Sequence, residues 1–171
     1  MSRVLADAMI AEMPRLRRYA RALTGDPERA DDLVQDCLER AWARQHHYDG
    51  ASELRPWLFT ILHNLHANAA RSYHRRPAFV DADALAEAAA VAPGHDGELA
   101  LRDLAQAMER LSDEQRAVLL LIGVEELTYP QAAAVLGVPV GTVMSRLSRA
   151  RERLRQLLAG ADDGPRLRRI K

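Results

Sequence analysis

The sequence predicts an all-α protein of two small helical domains joined by a flexible linker, and three observations carry that expectation. Ala30, Leu33, Val34, Cys37, Leu38, Ala41 and Trp42 recur at i, i+3, i+4, i+7 spacing, the period of a helix with one apolar face. Two capping boxes, Ser112 with Gln115 and Thr128 with Gln131, mark helix starts in the second half of the chain, and Gly137 suits a left-handed stop. Between Pro77 and Glu98 the sequence turns Ala-rich and acidic and is broken by Pro93, Gly94 and Gly97, the composition of a spacer. The expected units are a first domain over 1–76, a linker over 77–98, a second domain over 99–159 and a basic tail over 160–171.

Taken in order, the first helix is expected to begin near Met13, with Pro14 in its first turn, and to end at Leu23 before Thr24 and Gly25. Residues before Met13 have the composition of a separate short helix. Leu16, Tyr19, Ala20 and Leu23 form its inward face. Asp26 as N-cap and Pro27 at the first position then open a helix to about Gln45. Opposite its apolar row stand Asp31, Asp32, Gln35, Asp36 and Glu39. The helix macrodipole favours the first two acids, which lie near the N-terminus, but not the later Asp36 and Glu39.

The stretch His46 to Leu54 loses periodicity and contains Gly50 and a candidate cap at Ser52, so it reads as a loop. A third helix is expected from about Arg55 through Arg76. Its inward residues are Leu58, Ile61, Leu62, Leu65 and Ala69, and Thr60, Asn64, Asn68, Arg71 and Arg75 line the outer face. An aromatic loop beside a helix of amides and arginines offers single-stranded nucleic acid a stacking surface, base-edge donors and backbone charge.

Past the linker, Leu99 to Leu111 forms a helix. The capped segment Asp113 to Ile122 contains an all-apolar run that is expected at the centre of the second domain. A short helix from Thr128 to Gly137 and a long one through Leu158 then make a helix-turn-helix. Val143, Leu147, Ala150, Leu154 and Leu158 point inward on the long helix. Thr142, Ser145, Arg146, Arg149 and Arg153 share a stripe from which guanidinium groups can reach base edges and phosphates. The same pattern also fits two packed helices with a solvated basic face.

The formal net charge of the 171 residues is zero, yet charge is segregated. Residues 26–40 hold six acids against two arginines, whereas residues 140–171 hold eight arginines and one lysine against three acids. A basic end suits nucleic acid, and an acidic helix suits a basic protein surface. No apolar run approaches the ~20 residues a membrane helix requires, and MSRVLADAMIAEMPR carries acids where a secretory leader needs an apolar core. The expected compartment is the cytoplasm. Cys37 has no partner for an internal disulfide, and His46, His47, His63 and His66 lack the Cys or carboxylate company of a metal site. No nucleophile with its base and no phosphate-cradling Gly-rich loop is present, so neither catalysis nor a cofactor is expected.

Three segments carry a resemblance. ADDLVQDCLERAW (Ala30 to Trp42), RPWLFTILHNLHANAARSYHRR (Arg55 to Arg76) and LSDEQRAVLLLIGVEELTYPQAAAVLGVPVGTVMSRLSRARERL (Leu111 to Leu154) resemble, in this order, a bacterial RNA polymerase sigma factor of the extracytoplasmic-function (ECF) group. The resemblance implies that Asp32, Gln35, Asp36 and Glu39 dock on the clamp helices of the largest polymerase subunit, with the flap as a further contact. It implies that Tyr48, Asp49, Ser52, Trp57, Thr60 and Asn64 capture flipped bases of the promoter −10 element, with Arg71 and Arg75 on the backbone. Thr142, Ser145, Arg146 and Arg149 are implied to read the −35 element in the major groove, and Arg153 to meet phosphate. The linker is implied to thread toward the polymerase active-site channel, and an anti-sigma factor is an implied partner. Asn68 stands where members of the group often carry Asp. Two other readings stay open: a helix-turn-helix regulator that does not touch polymerase, and a sigma-like decoy that sequesters another protein.

Overall fold

The computed structural model describes residues 3–48, 53–72 and 95–162, with side chains left out at 70–72, 95–98 and 161–162. Among these residues the structure is helical throughout: α1 (Arg3–Thr24), α2 (Pro27–Ala43), a single 3-10 turn (Gln45–His47), α3 (Leu54–Ser72), α4 (His95–Glu109), α5 (Asp113–Gly123), α6 (Tyr129–Leu136) and α7 (Val140–Asp162). The expected loop residues Asp49 and Ser52, Arg75 and most of the expected linker and tail lie outside the described residues, as does the side chain of Arg71.

α1 is one helix where the sequence predicts two pieces. Pro14 removes a backbone donor, but it sits on the exposed side, where water can satisfy the freed carbonyl. Met9, Leu16, Tyr19, Ala20 and Leu23 keep one buried row across it. Gly25, at φ 62°, ends the helix, and Asp26 starts the next by accepting from the N–H groups of Glu28 (3.0 Å) and Arg29 (3.2 Å).

α1, α2 and α3 pack on one another around Leu16, Tyr19, Val34, Cys37, Leu58, Phe59 and Leu62. Tyr19 and Phe59 meet with ring centroids 5.2 Å apart. The Cys37 thiol donates to the Leu58 carbonyl at 3.5 Å, and burial pushes its pKa up to about 12, so it is a core residue without thiolate character. Two expected inward residues point out: Trp42 is 51% exposed, and Ala69 is exposed. The apolar period of α2 drifts past the core by its last turn, while Phe59, absent from the expected inward set, is fully buried.

In the second half α5 is central, contacting α6 and α7, and α4 leans on α7. Both capping boxes form as the sequence predicts, and Gly137 adopts φ 65° at the end of α6. Arg116, 2% exposed, closes the C-terminal end of α4 by donating to the carbonyls of Met108 (3.1 Å), Glu109 (3.2 Å) and Leu111 (3.2 Å). Met108 O also accepts from the Leu111 N–H (3.2 Å), whereas the Glu109 carbonyl is one that a helix end leaves without an internal partner. The two halves also touch, α1 against α5 and α3 against α6.

Candidate nucleic-acid and polymerase interface

Three surfaces carry the residues singled out by sequence. The first is the outer face of α2, where Asp32, Gln35, Asp36 and Glu39 are all exposed. Gln35 donates to Glu39 at 2.9 Å, and Asp31 pairs with Arg17 of α1 at 3.3 Å. Asp31, Asp32, Gln35 and Glu39 also rim a shallow groove of about 370 Å³ between α1 and α2. The surface is acidic and preformed, because one buried row on the other side of α2 fixes the helix.

The second surface is the N-terminal part of α3. Tyr48, leaving the 3-10 turn, meets Trp57 with ring centroids 5.2 Å apart. Trp57, Thr60 and Asn64 line a groove of about 450 Å³ whose opposite wall is Arg40, Arg44 and His47. None of those three was expected at a nucleic-acid surface, although Arg40 and Arg44 sit one turn apart at the end of α2 and so must share a face. The Thr60 hydroxyl donates to the Pro56 carbonyl at 2.8 Å, which turns its methyl and its remaining acceptor capacity to the groove's edge. An aromatic pair beside two arginines gives a flat base a stacking partner and its phosphates a charge partner.

The third surface is α7. Val143, Leu147, Ala150 and Leu157 are buried against α5 and α6, which leaves Met144, Ser145, Ser148, Arg149 and Arg153 outward. Ser145 donates to the Thr142 carbonyl (3.1 Å), and Arg149 Nε donates to the Ser145 carbonyl (3.2 Å), so Arg149 lies back along the helix. Arg146 departs from the expected stripe. It is half-buried and paired with Glu114 of α5 at 3.1 Å, because its position falls between the buried and outward faces. Met144, 53% exposed, stands on the outward face instead.

Among the described residues no group of three or more His, Cys, Asp or Glu side chains is placed to hold a metal ion. His46 and His47 contact each other, and His63 Nδ1 lies 3.1 Å from the Tyr19 hydroxyl. No helix among the described residues is long and apolar enough to cross a membrane.

A helix-turn-helix with an outward Ser and Arg stripe, in one chain with an acidic helix and an aromatic, Arg-walled groove, defines a DNA-binding protein of the transcription apparatus. Comparison with known proteins narrows the class. Residues 9–63 match the Sigma2 domain of PhyR and residues 101–154 match Sigma-70, region 4. The ECF RNA polymerase sigma factor EcfG of Rhodopseudomonas palustris is 41% identical over 165 residues, covering 94% of this chain and 90% of the relative. The sigma factor RpoE, solved in complex with the anti-sigma factor NepR from Bartonella quintana, superposes with a TM-score of 0.74 at 34% identity, over 92% of this chain and 98% of that one. CnrH, solved with the cytosolic domain of CnrY, gives a TM-score of 0.70 at 28% identity over 92% and 89% of the two chains. The chain belongs to the ECF RNA polymerase sigma factors.

Proposed function

We propose that this chain is a promoter-specificity subunit that binds core RNA polymerase in the cytoplasm, selects promoters through two DNA elements and promotes strand opening, with no catalysis of its own. The observation that carries the reading is the coexistence of three surfaces in one chain: the acidic α2 face, the aromatic groove on α3 and the outward stripe of α7. A regulator that only binds duplex DNA needs the last of these and neither of the others.

In this reading Asp32, Gln35, Asp36 and Glu39 dock on the polymerase clamp helices, and the flap takes the second domain. Ser145, Arg149 and Thr142 read the −35 duplex, Arg153 meets phosphate, and Arg146 joins them once its pairing with Glu114 is exchanged for DNA. Tyr48, Trp57, Thr60 and Asn64, with Asp49 and Ser52 of the loop, hold unstacked bases of the −10 strand. Arg71 and Arg75, and on the groove wall Arg40 and Arg44, lie along its backbone. Stacking is worth about 1 to 3 kcal/mol per base, enough to offset the few kcal/mol that unstacking costs. The domain limits implied are 1–76 and 99–159, with 77–98 as the connection and 160–171 as a basic tail. The solved complex of RpoE with the anti-sigma factor NepR supports an anti-sigma factor as a further partner.

Purified core polymerase from the host, incubated with the chain and genomic fragments, tests the proposal. Transcripts from a defined set of start sites that share an upstream motif are expected. Transcription no different from core alone would contradict it.

A further inference from the structure

We propose that Glu125 is a latch that holds the helix-turn-helix half of the chain against one side of the strand-capturing face of α3, so that the free protein restricts access to its own DNA site. The proposal rests on the reading of α3 given above. Glu125 sits in the turn after α5 and is 0% exposed. Its carboxylate accepts two hydrogen bonds from one guanidinium of the other half, Arg18 Nε at 2.9 Å and Arg18 Nη2 at 2.8 Å, across 107 positions of sequence. Arg15 Nη1 lies 3.9 Å from the same carboxylate.

The turn is built to deliver this group. The Glu125 N–H donates to the Leu120 carbonyl at 2.9 Å, and Glu126 adopts φ 56°, a left-handed conformation unfavourable for a side chain with a Cβ. Just beyond, Gln131 of α6 donates to Glu53 at the foot of α3. Pro130, Gln131 and Ala134 form one wall of a groove of about 380 Å³, and Glu53, Pro56, Trp57 and Thr60 form the other. A strand approaching Trp57 and Thr60 from this side meets α6.

The rest of the seam is apolar in part and is interrupted by a groove. That groove, of about 380 Å³, has Leu23, His63, His66 and Ala67 on one side, and on the other Asp113, Glu114 and Arg146 beside the apolar Ala117, Leu136 and Val138. A seam broken by a groove that admits water to charged groups separates more readily than a fully packed apolar one. A bidentate pair whose carboxylate is fully buried and whose guanidinium is 14% exposed is specific in geometry and disfavours the loss of either partner alone. Opening at this seam would free both faces of the α3 edge and release the halves to engage separate DNA elements.

The test uses the full chain with fluorophores on Glu28→Cys and Gln106→Cys, two exposed positions on opposite halves, since Cys37 is buried. Glu125→Gln and Arg18→Gln are each expected to raise the separated population at least about tenfold, with helix content by circular dichroism unchanged. The double substitution is expected to add nothing to either single one. Binding of a fluorescein-labelled random-sequence single-stranded DNA 20-mer, read by anisotropy, is expected to tighten about tenfold in the same variants. Glu126→Gln changes charge equally on the neighbouring exposed residue and is expected to leave both readouts near wild type.

A folded Glu125→Gln chain with the wild-type distance distribution overturns the latch. Separation without tighter DNA binding overturns self-covering, as does equal tightening by Glu126→Gln. The distance readout contains no polymerase, so a failure of the promoter-subunit reading in transcription leaves the latch to be judged on its own.

Discussion

The pairing of Tyr19 with His63 makes the first half of the chain sensitive to acid, and the size of the effect follows from the structure. The Tyr19 hydroxyl and His63 Nδ1 are 3.1 Å apart. Burial, with the Glu125 charge adding to it, pushes the Tyr19 pKa far above the ordinary tyrosine range, so the hydroxyl keeps its proton and donates. With the hydroxyl as donor, Nδ1 accepts, and the imidazole is neutral with its proton on Nε2. Burial, and secondarily the neighbouring His66, lowers the His63 pKa from 6.5 to about 4.

Because the folded value lies below the unfolded one, the unfolded chain takes up a proton first as pH falls. Stability is therefore complete above about pH 6.5, declines between 6.5 and 4, and flattens below. At about 1.4 kcal/mol per pH unit the ceiling is about 3 kcal/mol, and the partial exposure of the ring reduces the expected loss to about 2 kcal/mol. Urea unfolding followed by circular dichroism across this window measures it. His63→Gln keeps an acceptor for Tyr19 but cannot titrate, so the wild-type curve minus the variant curve isolates the histidine from the carboxylates. Equal slopes in the two proteins would refute the reasoning.

Replacing Arg116 with Met removes three hydrogen bonds to carbonyls at and just beyond the end of α4, and an equilibrium unfolding loss of about 2–4 kcal/mol is expected; a loss within error of zero would show that water caps that end. Glu126→Gly relieves the left-handed strain at φ 56° and should stabilise the chain by about 0.5–1 kcal/mol in the same measurement, with destabilisation counting against the strain. Arg149→Ala, on the outward stripe of α7, is expected to weaken promoter binding by about 1–3 kcal/mol and to flatten the preference at one −35 base pair; unchanged discrimination removes Arg149 from the reading set. Asp36→Lys leaves the buried row of α2 untouched and should lower core polymerase affinity at least about tenfold with unfolding unchanged; retained affinity would place docking elsewhere.

The helices that local chemistry specifies were legible. The Ala30 to Ala41 row, the two capping boxes and Gly137 each depend on residues within a few positions of one another, and all appear where the sequence places them. Helix orientation was less so. A helix advances in steps of about 100°, so a residue at the boundary of a face falls either way, as Trp42, Ala69 and Arg146 do. Pro14 suggested a helix start, yet an exposed proline is compatible with a continuous α1 when a long buried row sustains it.

What the sequence concealed is long-range. Glu125 reads as one of two adjacent acids in a turn, and nothing local marks it as the buried partner of Arg18. The groove wall of Arg40, Arg44 and His47 was hidden for the same reason, since it needs the end of α2 and the start of α3 side by side. Its helical half, Arg40 and Arg44 on one face, was available to sequence reasoning.

Opening of promoter DNA by the chain in partnership with polymerase is the function on which the three surfaces converge. Permanganate oxidation of unpaired thymines, on a promoter fragment with core enzyme and the chain together, tests this most directly. Reactive thymines in the −10 region that vanish when core is withheld, and that fade with Trp57→Ala, are the predicted result. Upstream protection of duplex DNA with no reactive thymine under any condition would contradict it and leave a duplex-binding regulator in its place.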